Sequence, residues 1–306
     1  MNRSYDAIVV GAGPAAWSAS IFLVRAGMSV LVVGVDNESG LADASDVRNF
    51  PGFPDGISGR TLLDNMIAQA KNQGVVYEKQ EVTHTEEING NFLTKTANLD
   101  EFTAKNLVLA HGANYIKANL PGEKEYSGKG VHYCALCDGP IYKGKSIVVL
   151  GNSNLAAEEA IELSAYVKDV RIISHSPAVN FSEGYKNILD SKHVSAVTVR
   201  IKEIKGDGAK ANSVITETGE TINFDALFIA LGVASSLDFA RQLGLEVAGD
   251  FIKVDVNMRT SNEKVWAVGM ARGGVNQIVK SVGDGAIGAV SIIKTSKGLP
   301  NYIDHT

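Results

Sequence analysis

The chain has 306 residues, 45% hydrophobic and 21% charged, with 31 glycines. That is a globular composition, long enough for two cores. Its net charge of −5, its pI of about 5.7 and the lack of any long basic run argue against nucleic acid or an anionic membrane as partner. No apolar stretch reaches the roughly 20 residues that a membrane helix needs.

Met1-Asn2-Arg3-Ser4-Tyr5-Asp6 leads straight into an apolar segment, which predicts no secretory leader and a cytoplasmic location. Ala7–Val10 is a short β-branched run, as expected of a buried parallel strand. Gly11-Ala12-Gly13-Pro14-Ala15-Ala16 follows, then a helical run over 17–26 closed by Gly27, and a second strand over 29–33. Such glycines permit a tight turn and let the backbone approach a pyrophosphate, which the helix N-terminus attracts. Ala16 stands for the third glycine. Asp36 follows about 20 residues on, where an acid hydrogen-bonds a ribose hydroxyl. The complete order of strand, turn, helix, strand and acid predicts a bound dinucleotide.

Asn106–Leu109 reads as a strand ending in Ala110-His111-Gly112-Ala113. Further on come Cys134 and Cys137, the only cysteines, with Asp138 directly after the second. The spacing reads as redox or metal chemistry in a reducing compartment. His132 adds a third ligand to a zinc reading, and a fourth would come from a distant residue such as His111. Together with the N-terminal fingerprint, the pair suggests a flavin exchanging electrons with a dithiol.

A second strand–turn–helix begins at Ser146–Leu150, with Gly151-Asn152-Ser153-Asn154-Leu155-Ala156 as the turn, a helix over 157–166 and a strand over 170–174. Here Ser153 takes the central glycine position, where its side chain crowds a dinucleotide. After the strand come His175 and Ser176, with neither an acid for a ribose hydroxyl nor an arginine for a 2′-phosphate. A third segment, Val265–Gly269, reads as another buried strand, followed by Asn276-Gln277 and a glycine-rich helix over 281–289. The turns at Ala110–Ala113 and Ile229–Gly232 read as hinges. The fold class is therefore α/β with two Rossmann-like domains, residues 114–233 being inserted between 1–113 and 234–306.

Over essentially its whole length the sequence resembles the low-molecular-weight thioredoxin reductases. The resemblance rests on Gly11-Ala-Gly-Pro-Ala, Asn49-Phe50-Pro51-Gly52, Ala110-x-Gly112-Ala113, the Cys134–Asp138 motif and the Gly269…Gln277…Gly283 tail. It implies FAD in the outer domain, an NADPH site in the inserted one and a homodimer. It also implies FAD contacts from Gly11, Gly13, Pro14, Ala15, Ala16, Asp36, Asn49, Ala110, Gly112, Gly269, Met270, Asn276 and Gln277. By the same resemblance Cys137 faces the flavin, Cys134 attacks the partner disulfide and Asp138 moves the proton. A thiolate is the nucleophile in such exchange, and a carboxylate beside it suits proton transfer.

The sequence departs from the family at four places. Ser153 and Ser174-His175-Ser176 replace the intact second fingerprint and its His-Arg-Arg segment, Met270 replaces the aspartate that holds the ribityl chain, and His111 replaces the hinge threonine. These departures, beside an intact dithiol, predict disulfide chemistry with an electron source other than NADPH: ferredoxin, or a second flavin in the inserted domain. The disulfide substrate is then thioredoxin, another redox protein or a small disulfide. Three other readings stand beside it: an NAD(P)H-dependent reductase in which Lys186 or Lys192 meets the phosphate, a flavin-dependent dithiol oxidase, and a non-catalytic flavin or metal module.

Overall fold

The computed structural model describes residues 3–234 and 237–299. Its contacts divide them into two units, one of residues up to Asn114 together with those from Ala234 onward, the other Tyr115–Val233.

The discontinuous unit is built on a seven-stranded sheet. Its order is Val76–Glu78, Val30–Val33, Arg3–Val10, Glu101–Leu109, Asn91–Thr96 and Val82–Ile88, with Val265–Ala267 also on Glu101–Leu109. The strand Glu101–Leu109 has two kinds of partner on one side. Its first half pairs antiparallel with Asn91–Thr96, and Leu107–Leu109 pair in parallel with Val265–Ala267. Alternation along the parallel strands sends side chains to opposite faces. Ala7, Val9, Val30 and Val32 join one core with Trp17, Leu23 and Ile292, while Ile8, Val10, Leu31 and Val33 join another with Leu107 and Leu109. A fully buried Val, Leu or Ile contributes about 1.5–3 kcal/mol, so these runs dictate the register of the sheet.

The helix after the first glycine turn spans Pro14–Arg25, earlier than the 17–26 expected, because proline is favoured in the first helical turn. The glycine-rich tail forms the helix Ile278–Lys297. It packs on Pro14–Arg25 so closely that a Cβ on Gly285 would lie 2.3 Å from the Ala15 carbonyl oxygen. The Ser18 hydroxyl donates to the Val282 carbonyl across this contact at 2.7 Å.

The contiguous unit has a five-stranded parallel sheet in the order Ser195–Thr198, Asp169–Ser174, Ser146–Leu150, Ala226–Ile229 and Val131–His132. Beside it runs an antiparallel meander of Ile201–Gly206, Ala211–Thr216 and Thr221–Asn223. The helix after the second turn spans Asn154–Leu163, three residues ahead of the expected start, since the end of the fingerprint is already its first turn. Among the described residues, no helix is long and apolar enough to cross a membrane.

Candidate active site and cofactor cradle

In the discontinuous unit the glycine turn sits where the backbones of three segments converge. Gly11 has φ +114°, and a Cβ there would lie 2.3 Å from the Ala110 carbonyl oxygen, so only glycine fits. Gly13 is different. Its φ of −89° and ψ of −177° are open to any residue, and its Cβ position faces only the Ser39 hydroxyl at 3.5 Å. Neither conformation nor a close neighbour demands glycine there, and what it leaves is open space. No side chain caps the helix that starts at Pro14, and no acid stands in its first turn, which leaves its N-terminus suited to an anion. Ala15 and Ala16 are buried directly beneath.

Asp36 is buried after the second strand, with Lys79 (2.6 Å) and the Tyr77 hydroxyl (3.0 Å) on Oδ1 and Arg60 (2.9 Å) on Oδ2. Burial alone would raise its carboxyl, but the hydrogen bonds from Lys79, Tyr77 and Arg60 outweigh that and bring it down to about 2. It is therefore ionised, and a carboxylate with about four acceptor sites keeps capacity for a hydroxyl. An open anion site at a helix start and a fixed carboxylate beside it fit the pyrophosphate and ribose of FAD.

Of the expected tail residues, Gly269 reaches the same helix start. Gly269 has φ +65°, and its Cβ position lies 2.9 Å from the Ala15 methyl. The Asn49 amide donates to Gln277 Oε1 at 2.9 Å, bringing together two residues 228 positions apart. Met270 lines a small cleft with Gly112, Ala113, Leu237 and Phe251. Asn276 lies half-buried in the loop before the tail helix. Three residues that the sequence reading missed hold this turn. Buried Asp284 accepts from the Gly269 N–H (3.2 Å), from Arg272 in a two-pronged pair (2.9 and 2.8 Å) and from Lys280 (2.9 Å). Lys280 also donates to the Gly269 carbonyl at 2.8 Å. Burial would raise the Asp284 carboxyl, and Arg272 and Lys280 reverse this and hold it low.

His111, at the family's hinge threonine, has Nδ1 3.0 Å from the Gly112 carbonyl oxygen, and its ring stacks on Phe239 at 5.2 Å. Burial brings its pKa down to about 4, against the smaller opposing effect of that carbonyl, so the ring is neutral near pH 7.

In the contiguous unit Cys134 and Cys137 are joined in a disulfide with Cα atoms 5.3 Å apart. Cys134 caps the turn Ala135–Asp138, its sulfur accepting from the Cys137 N–H at 3.2 Å, a contact that favours a Cys134 thiolate after reduction. The Asp138 side chain does not cap the turn that follows; its Oδ2 lies 3.2 Å from His132 Nδ1. Among the described residues no group of three or more His, Cys, Asp or Glu is arranged to hold a metal ion. Behind the dithiol, half-buried Glu159 accepts from the Ala135 N–H, and Tyr166 donates to the Ala135 carbonyl at 3.2 Å. Burial raises Glu159 to about 7. Its sequence signal was the pair Glu158-Glu159, of which only the second faces the dithiol turn.

The second glycine turn repeats the first in backbone. A Cβ on Gly151 would meet the Ala230 oxygen at 2.4 Å, as one on Gly11 meets Ala110. Ser153 has φ −113° and ψ 176°, the extended conformation of Gly13, so serine fits without strain and acts only by filling space. The segment after Ser174 closes on this turn: the Asn180 N–H donates to the Asn152 oxygen at 2.6 Å, and the Ser182 N–H to Asn154 Oδ1 at 2.8 Å. Ser174 donates to the carbonyls of Ser176 and Ala178, and His175 Nδ1 accepts the Ile201 N–H at 2.9 Å. Lys186 stands 3.8 Å from Glu183.

The sequence matches the protein family described as pyridine nucleotide-disulphide oxidoreductase over residues 5–285. The thioredoxin reductase of Bacillus subtilis (strain 168) is 34% identical over 301 residues, covering 95% of this chain and 94% of the relative. Among solved structures, the thioredoxin reductase of Streptococcus pyogenes is 28% identical with a TM-score of 0.90, covering 98% of this chain and 100% of that one. The atypical thioredoxin reductase TRi of Desulfovibrio vulgaris Hildenborough is 33% identical with a TM-score of 0.55, covering 99% and 100%. A family model spanning residues 5–285 and a relative 34% identical over 95% of the chain agree with the glycine turn and the dithiol, and the chain belongs to the thioredoxin reductase family of FAD-linked pyridine nucleotide-disulphide oxidoreductases.

Proposed function

We propose that this flavin disulfide oxidoreductase passes electrons through Cys134–Cys137 to the disulfide of a thioredoxin, a related redox protein or a small molecule, and receives them from a donor other than NADPH. FAD, when bound, supplies the two-electron carrier. Gly11, Gly13, Pro14, Ala15, Ala16 and Asp36 hold its adenosine and pyrophosphate end. Asn49, Ala110, Gly112, Gly269, Met270, Asn276 and Gln277 complete the cradle. Cys134 is the interchange thiol, Cys137 the flavin-side thiol and Asp138 the proton-moving residue. The enzyme works in the cytoplasm as a homodimer, a reading that rests on the family resemblance.

The observation that carries the choice of donor is Ser153, which stands in the conformation of Gly13 with a side chain in the space that Gly13 leaves open. The hydroxyl of Ser174 and Nδ1 of His175 are engaged by backbone groups, and residues 175–182 contain no lysine or arginine. An acidic ferredoxin or a second flavin in the inserted unit fits this chemistry. One observation favours NADPH instead: exposed Arg200 precedes Ile201, whose N–H is held by His175, and so sits beside the end of the strand Asp169–Ser174.

Anaerobic titration of the yellow protein with NADPH and then NADH separates the two. A flavin band that ignores both nucleotides and bleaches with dithionite supports the proposal. Bleaching at stoichiometric NADPH overturns it, and loss of that response in Arg200→Ala then assigns the 2′-phosphate contact.

A further inference from the structure

His132 lies in the short strand Val131–His132, is buried, and stacks on its cross-strand neighbour Phe228 at 5.3 Å. Both ring nitrogens are engaged, Nδ1 3.2 Å from Asp138 Oδ2 and Nε2 2.8 Å from the Tyr142 hydroxyl. This suits both protonation states. A neutral ring donates from Nδ1 to Asp138 while Tyr142 donates to Nε2; a charged ring donates from both nitrogens, and the tyrosine hydroxyl turns to accept. A buried group that is fully hydrogen-bonded with and without its proton can take one up and release it without leaving a polar atom unsatisfied.

We propose that His132 is the positioning residue through which Asp138 works: the pair stores the proton that the dithiol releases and returns it to the departing thiolate of the partner. This rests on the reading of Asp138 as the proton-moving residue. In the step concerned the proton that Cys134 has lost is held by the Asp138–His132 pair; the Cys134 thiolate attacks one sulfur of the partner disulfide, that S–S bond breaks, and the partner's other sulfur leaves with the stored proton. Cys137 then gives its proton to the emptied pair and attacks the Cys134 sulfur, freeing the second partner thiolate, which takes that proton in turn. A leaving thiolate that needs no proton leaves the pair loaded, and the Cys137 proton then goes to solvent. The protein dithiol is oxidised by two electrons and the partner disulfide reduced by two.

The surrounding charges support a neutral hydroxyl behind the pair. Tyr142 is pushed up to about 12 by burial and by Asp138 and Asp225. Asp225 faces Lys145 at 3.9 Å, and the charge of Asp138 helps to raise Glu159.

The test uses flavin-loaded protein reduced with dithiothreitol and desalted without oxygen. Its reoxidation is followed by rapid quench and thiol alkylation, with two probes. Dithio-bis-nitrobenzoate releases an aromatic thiolate that needs no proton; hydroxyethyl disulfide releases an alkyl thiolate that does. His132→Asn keeps an N–H beside Asp138 and loses the second ring nitrogen that meets Tyr142. It is expected to slow the alkyl probe about tenfold at pH 7, while changing the aromatic probe less than about twofold. Equal slowing of both probes, or of neither, overturns the proposal. If His132→Asn does not fold, Tyr142→Phe decides: slowing confined to the alkyl probe supports the relay, and an unchanged rate overturns it. Full activity of Asp138→Asn with the alkyl probe would sink the reading of Asp138 itself. Slowing in Asp138→Asn without slowing in His132→Asn removes only the relay.

Discussion

Glu159→Gln tests the electrostatics behind the dithiol. In the folded chain burial holds this carboxyl at about 7, against 4.5 when it is free. The folded state therefore keeps its proton over a range where the unfolded chain has lost it. Stability from this group is complete below pH 4.5, falls as pH rises toward 7 and is flat beyond. About 2.5 pH units at about 1.4 kcal/mol each give about 3.5 kcal/mol, and partial exposure reduces this to about 2. Glutamine still accepts the Ala135 N–H and cannot ionise. The variant should match the wild type near pH 4 and exceed it by about 2 kcal/mol at pH 8, read from urea midpoints by circular dichroism. The difference between the two proteins is the quantity to measure, because His111 acts with the opposite sign over nearly the same range. Its folded value of about 4 lies below the free value of 6.5, so its contribution is lost as pH falls. A stability difference that stays constant from pH 5 to 8 would show that Glu159 ionises as if exposed, and the reasoning would fail.

The same logic predicts that His111→Phe, which keeps an aromatic face for Phe239, removes the loss of stability between about pH 6.5 and 4. An unchanged acid limb in urea midpoints would contradict this. Gly285→Ala drives a methyl into the Ala15 carbonyl and should cost about 2 kcal/mol in thermal unfolding; a loss below about 0.5 kcal/mol would mean the helices separate freely. Asp36→Asn leaves Lys79 and Arg60 beside a neutral amide and weakens the ribose contact. Flavin retention should fall about tenfold, equal to about 1.4 kcal/mol, as fluorescence released on dilution, and undiminished retention would place the adenosine end elsewhere.

Much of the fold was legible because short β-branched runs next to glycine turns have few other solutions. Ala7–Val10, Ser146–Leu150 and Val265–Gly269 read directly as strands, the last ending two residues earlier in the structure, at Ala267, and the glycine-rich run around Gly285 read as a helix. Helix starts were placed late at both turns, since the last fingerprint residues are at once loop by pattern and first turn by geometry. What stayed hidden was the set of groups that hold the site residues. Lys79, Tyr77 and Arg60 reach Asp36 from two different elements, and Arg272 finds Asp284 only once the tail turns at Gly269. A charged residue in isolation reads as solvated surface. His132 entered the sequence reading as a third zinc ligand, and only the folded strand shows which of its nitrogens meets Asp138 and which meets Tyr142.

The pairing of Leu107–Leu109 with Val265–Ala267, and of the first helix with the last, has a consequence for biosynthesis. The segments that complete this core leave the ribosome last, after the whole of Tyr115–Val233 has emerged. The contiguous unit, whose strands all lie between its own ends, can close during synthesis, whereas the first helix must wait with an uncovered face until the chain is nearly finished. A nascent chain stalled before Val265 should accordingly expose the Ala15, Ser18 and Ala19 face of the first helix to chaperones and proteases while its dithiol segment is already protected.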